Sequence, residues 1–205
     1  MKDLVILAAD KDLEHTLLGL LSRPQALGIR SITRDIFIEA EHDPACLLRG
    51  VQFLSPFSDG YQHALLMFDY EGCGQEQNET ADELETRLNN DFMQTAWGTR
   101  AQTIVLEPEL ESWVWSRSPH VATVAGWENR TPSLQEWLRD NNWLIDSQVK
   151  PHRPKEAFEA ALRDARKPRS ASLYKQLAEK VSLRGCTDRK FTRFLEIMQE
   201  WFPVV

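Results

Sequence analysis

His63-Ala-Leu-Leu-Met-Phe-Asp69-Tyr-Glu71-Gly-Cys-Gly74 runs apolar from Ala64 to Phe68 and then turns abruptly to two carboxylates and two glycines. The apolar run reads as a buried strand that delivers acids to an edge. Side chains two apart on a strand share a face, so Asp69 and Glu71 are expected to point the same way. Gly72 and Gly74 would let backbone approach closely whatever the acids hold. Two hard oxygen donors on one face suit Mg²⁺ or Mn²⁺. A strand that simply ends in a solvated turn is the plainer reading of the same residues.

Two further apolar runs end in acids. Asp3 to Ala9 is followed by Asp10 and Glu14 around a helix start, and Thr103 to Leu106 is followed by Glu107, Glu109 and Glu111. The alternation predicts strands at 3–9, 31–38, 63–69 and 102–106, with helices at 12–22, 44–54 and 79–97, and only helices afterwards. That order argues an α/β fold with a mostly parallel sheet flanked by helices. The helix after the acid pair is the clearest, with Leu84, Leu88, Phe92 and Ala96 at four-residue spacing. In such sheets ligands bind outside the carboxyl ends of the strands, and acids gathered there repel one another unless a cation neutralises them. Helix N-termini also favour acids electrostatically, which alone accounts for Glu14, Glu109 and Glu111. His15, beside the first acids, is a weaker candidate for the same site.

Composition narrows the function classes. The chain has 205 residues and a formal net charge of −7, with 42% apolar content, enough for one substantial core. No apolar run approaches a membrane span and Met1-Lys2-Asp3 opens a strand, so a cytoplasmic protein without a membrane partner is expected. Cys46, Cys73 and Cys186 are odd in number and widely spaced, with no Cys-x-x-Cys pair, so neither a disulfide framework nor a zinc site is expected. Phosphate-loop, dinucleotide and nucleophile-elbow motifs are missing, which leaves metal-assisted hydrolysis as the one enzyme class with a coherent residue set.

Charge is unevenly divided. Residues 1–149 carry 11 Lys/Arg against 24 Asp/Glu, whereas residues 150–193 carry 13 against 5. An acidic whole is not what simple duplex binding predicts. A basic segment facing an acidic site nevertheless suits a phosphodiester, with Lys155, Lys167 and Lys175 as candidate phosphate contacts and Arg169 beside them. Basic helices that solvate their outer faces or bind an acidic partner would carry the same charge. Six of seven tryptophans follow the last strand. Base stacking is one use for them, and a core joining helices to the sheet is the favoured one. Trp113 is expected to be buried and to fix the direction of Glu111.

The motifs resemble a known family. A strand ending in an acid, followed by a strand ending in acid-x-acid, is similar to the Toprim fold of topoisomerases and primases. The closer resemblance is to small Toprim-like bacterial anti-phage defence proteins, the RloB-like group and a component of the methylation-associated defence system. It rests on Pro108-Glu-Leu-Glu111-Ser-Trp113, on Pro154-Lys155, on Lys167-Pro168 and on the spacing from Ser170 to Tyr174. The family's Glu-Gly opening is replaced here by Asp10-Lys11, with Glu14 as the second acid. The resemblance implies a Toprim-like domain over 1–116 and an integrated helical appendage over 117–205. It also implies a Mg²⁺- or Mn²⁺-dependent nuclease, with Asp69, Glu71 and Glu111 on the metal and Asp10 or Glu14 in general-base or second-ion roles. A non-catalytic interaction subunit that binds other proteins of a defence locus is the alternative.

Overall fold

Four apolar runs become four strands because each is bounded by residues that end extended structure. A computed structural model describes residues 1–116, 118–145, 148, 150–183 and 186–204. The first part of the chain alternates β1 (Lys2–Ala8), α1 (Lys11–Leu21), α2 (Pro24–Leu27), β2 (Arg34–Ile38), α3 (His42–Leu54), β3 (Tyr61–Asp69), α4 (Ala81–Met93) and β4 (Ala101–Leu106). Six helices follow: α5 (Glu111–Val114), α6 (Pro119–Val124), α7 (Leu134–Asp140), α8 (Pro154–Asp164), α9 (Ala171–Lys180) and α10 (Arg189–Trp201). The expected boundary between 116 and 117 involves residue 117, which lies outside the described residues.

All strand pairs are parallel and the order is β2-β1-β3-β4. The chain therefore winds outward from β1 in one direction, to β2, and then returns past it to β3 and β4. The order reverses between β1 and β3. At such a reversal the loops leaving adjacent strands part in opposite directions and open a crevice at the carboxyl ends. Asp10 follows β1 and Asp69 closes β3, so the reversal is where the chain places its first acids.

Alternation divides the core into two layers. Leu4, Ile6, Leu65, Met67, Ile104 and Leu106 face one side, under α1, α9 and α10. Val5, Leu7, Ala64, Leu66, Phe68 and Val105 face the other, under α3 and α4. Burial on both faces explains why β1, β3 and β4 read as largely continuous apolar runs, whereas the edge strand β2 is half-buried throughout and carries Arg34 and Asp35. The helices after β4 share the first layer with the sheet. Gly19 of α1 lets α9 come so close that a Cβ there would lie 2.7 Å from both Ala178 Cβ and the Lys175 carbonyl.

Side chains protect the β4 edge. Asn89 Oδ1 accepts from the Thr103 amide and Glu85 Oε1 from the Val105 amide, both at 2.8 Å. The otherwise open ladder is thus finished by α4. Lys190 of α10 is buried on the same helix, 2.6 Å from Glu85 and 2.8 Å from Asp82.

Two expectations need correction. The helix expected over 79–97 ends at Met93, and Ala96 is exposed. Thr95 turns its hydroxyl back onto the Phe92 carbonyl, and Trp97 then fills the buried position, donating its indole N–H to Leu54 at 2.8 Å. Trp113 is only half-buried. Its indole donates to Asp188 and its ring packs edge-on to Phe191, so it is turned toward α10 and does not set Glu111. Trp115 and Trp127 take the core role, each donating to a backbone carbonyl of α8. Among the described residues no helix is long and apolar enough to cross a membrane.

Candidate functional site

The acids at and beyond the strand ends are held by hydrogen bonds from residues later in the chain. Asp10 caps α1, accepting from the Leu13 amide at 2.8 Å. Asp69 Oδ1 accepts from the Leu110 amide at 2.9 Å, tying the end of β3 to the loop after β4. The Asp69 amide in turn donates to Asp43 Oδ1 at 2.8 Å, so the first turn of α3 is drawn to the same edge. Glu111, 2% exposed at the start of α5, accepts from the Tyr174 hydroxyl at 2.5 Å. Glu109, equally buried, accepts from the backbone amide of Lys155 at 2.8 Å.

The electrostatics follow from that crowding. Burial first, then the charges of Asp43, Glu111 and Asp10, push the Asp69 carboxyl well above the usual carboxylate range, with Lys155 acting against them. Burial raises Asp43 and Asp12, and Asp10 adds to both. Glu109 is pushed up to about 7 by burial, by Glu111 and by Glu71, against its hydrogen bond from Lys155. Glu111 is raised by burial, although Tyr174, Lys155 and Arg169 favour its charged form. Burial alone would pull Lys155 down, but Glu111, Asp69 and Glu109 hold its ammonium above the usual range.

Arg169 completes the cluster. Its guanidinium lies 2.6 Å from Asp12 and 3.6 Å from Glu111, and reaches Glu159 at 3.2 Å and the Tyr174 hydroxyl at 3.2 Å. A planar fork with several donors can bridge partners in this way where a lysine could not.

The residues named from sequence fall into three groups. Asp10, Asp69, Glu111 and Lys155 are brought together. Glu71 lies past the end of β3, exposed in a turn, with its amide on the Pro108 carbonyl at 2.9 Å. The expected shared strand face with Asp69 is therefore lost, because extended structure stops at Asp69; Glu71 acts on Glu109 instead. On α1, Asp12 reaches Arg169, while Glu14, the expected second acid, lies two residues on and on a different face of the helix. Lys167 lies against Gly126, and Lys175 pairs with Glu179 at 3.8 Å.

Asp43, Asp12, Arg169 and Tyr174 complete the constellation. Hard oxygen donors, desolvated and mutually repelling, suit a divalent cation by chemistry. As they stand, no three His, Cys, Asp or Glu side chains among the described residues are placed to hold one ion. Comparison with protein-family models, curated proteins and solved structures returned no match.

Proposed function

We propose that the cluster is a divalent-metal-dependent phosphodiesterase site, and that the chain is a Toprim-like, RloB-like nuclease of bacterial anti-phage defence acting in the cytoplasm. The observation that carries this reading is the position of the desolvated carboxylates. Asp43, Asp69 and Glu111, with Asp10 beside them, gather at the carboxyl edge where the strand order reverses, and Lys155 and Arg169 lie at their side. Mg²⁺ or Mn²⁺ bound there would lower the pKa of a water and neutralise charge on a leaving oxygen. Asp10, Asp69 and Glu111, with Asp43 as a further donor, would have to draw closer together than they stand to hold it. Lys155 would hold a substrate phosphate by its charge. Tyr174 and Arg169 fix the direction of Glu111, so that its carboxylate is aimed before substrate arrives.

A second reading has its own support. Arg169 already bridges Asp12 and Glu111, and the described residues offer no converged ligand set. A chain whose acids are neutralised internally would serve as an interaction subunit that recruits other proteins of a defence locus.

Cleavage separates the two. The purified chain is expected to cut labelled single- or double-stranded DNA or RNA with Mn²⁺ or Mg²⁺, and Asp69→Asn and Glu111→Gln are expected to stop cutting while leaving the circular dichroism spectrum intact. Phage protection that survives both substitutions in cells carrying the complete locus would overturn the nuclease reading in favour of the subunit.

A further inference from the structure

We propose that the loop from Gly72 to Glu76 is a binding nest for a phosphoryl oxygen, held in the resting chain by the protein's own Glu76 carboxylate. That the ligand is a phosphoryl group rests on the phosphodiesterase reading; the nest itself rests on geometry. The Gly72 amide donates to Glu76 Oε1 at 2.6 Å and the Gly74 amide to the same oxygen at 3.3 Å. The backbone of Glu76 itself, with the Gly74 and Gly72 amides, holds the carboxylate below the ordinary glutamate range, while the Cys73 amide, nearby, donates to the Tyr70 carbonyl at 3.2 Å. Successive backbone N–H groups aimed at one centre form an anion-binding concavity.

The two glycines serve the backbone. Gly72 and Gly74 have φ of +95° and +85°, and a Cβ at either would meet nothing within 4 Å. Packing therefore does not demand glycine there; the left-handed conformation that turns the amides inward does.

The loop is fixed by contacts that do not use the Glu76 side chain. The Tyr70 hydroxyl shares its one proton between the Glu79 carbonyl at 2.8 Å and the Glu76 carbonyl at 3.1 Å. Cys73 is buried in the second core layer, and Glu79 is held by both arms of Arg87 at 2.9 and 3.0 Å. A side chain that leaves the nest would thus leave its shape behind. Glu76 is exposed, so displacing it uncovers little. In this respect the carboxylate occupies the nest as an exchangeable anion.

The surroundings set the preference for an anion that arrives with its charge partly compensated. Asp43 acts on Cys73, and Glu83 and Glu107 act on Tyr70. Free phosphate is therefore held weakly in the wild type, and removing Glu76 both frees the donors and deletes one negative charge.

The test uses the full chain without divalent metal, titrated with inorganic phosphate at constant ionic strength and followed by ¹H–¹⁵N spectra. In Glu76→Ala the amides of Gly72, Cys73 and Gly74 are expected to shift saturably, with a Kd about tenfold tighter than wild type, the scale of one charge-assisted hydrogen bond. Asp91→Ala, an equal charge change at an exposed position of α4, is expected to match the wild type. Glu76→Gln, which keeps the side chain's length, covers the case in which Glu76→Ala loosens the loop; a gain of about threefold is expected. Unmoved amides in both Glu76 variants, or the same gain in Asp91→Ala, would overturn the nest. Because no cleavage is read, failure of the nuclease reading leaves this result standing, and failure of the nest leaves cleavage untouched.

Discussion

Glu109 and Asp69 are carboxyls whose ionisation the fold opposes, and that opposition has a sign. An acid whose pKa is raised on folding binds more protons folded than unfolded between its two pKa values, so stability falls as pH rises through that window. For Glu109 the window runs from the ordinary 4.5 to about 7, a loss on the order of 3 kcal/mol. Asp3 and Asp82 act in the opposite direction. Hydrogen bonds from Arg30, and from Arg189 and Lys190, hold them down to about 2, so their contribution is present above 3.8 and lost as pH falls toward 2. Thermal midpoints of the metal-free chain should therefore peak near pH 4–5 and decline toward pH 7. Asp69→Asn, which keeps an acceptor for the Leu110 amide, should raise the midpoint at pH 8 and flatten the decline. A midpoint that climbs steadily from pH 5 to 8 in wild type would contradict the buried-acid account. In the sequence, strand ends, a proline signature and a basic segment single out Asp10, Asp69, Glu111 and Lys155 as candidates, and the fold brings them near one another. Asp43 lies in the first turn of the helix before the acid-bearing strand, a position that a search of strand ends does not reach. Tyr174 and Arg169 had no local signal linking them to Glu111, since their contacts span 63 and 58 residues of chain.

Element by element, the sheet and the buried stripe of α4 at Leu84, Leu88 and Phe92 are legible in the sequence, and the partners of the polar residues on the helices are not. Strand positions agreed to within a few residues because both faces are buried and the apolar runs are unbroken. Asp12 in place of Glu14 shows the limit: both lie in the first turn of α1, and only the arrival of α9 and its preceding loop decides which one meets Arg169. The same is true of Lys190. Sequence offers it as one more cation of a basic stretch, yet packing of α10 against α4 buries it between Asp82 and Glu85. Removing one partner of a buried pair leaves the other charge uncompensated, which costs about 3–5 kcal/mol. Lys190→Met is expected to lower unfolding free energy by about 3 kcal/mol in urea, most of it regained when Glu85 is also changed to Gln. A loss below about 0.5 kcal/mol would mean that the pair behaves as an exposed one.

Across the whole molecule, the candidate site depends on helices that come last in the chain. Asp10, Asp43 and Asp69 come from the sheet's carboxyl edge, but Glu111 is aimed by Tyr174 of α9, and Lys155 opens α8. The distance between α1 and α9 therefore sets the distance between Asp12 and the Arg169–Tyr174 pair. Gly19 controls that distance, since a methyl group there meets the backbone of Lys175 as well as Ala178. Gly50 is a matched comparison on the opposite layer, where the nearest atoms a methyl group would meet belong to the Leu66 side chain, at 2.6 Å. Both alanine substitutions overpack and should cost about 1–3 kcal/mol. Their consequences for the site should differ. Gly19→Ala pushes α9 away as a unit, so amide resonances of Asp12, Glu111 and Arg169 should shift, and cleavage should fall further than stability alone explains. Gly50→Ala should be absorbed by Leu66 and leave those resonances in place. Equal shifts at Glu111 in the two variants would show that the helices following β4 transmit nothing specific to the acids they cover.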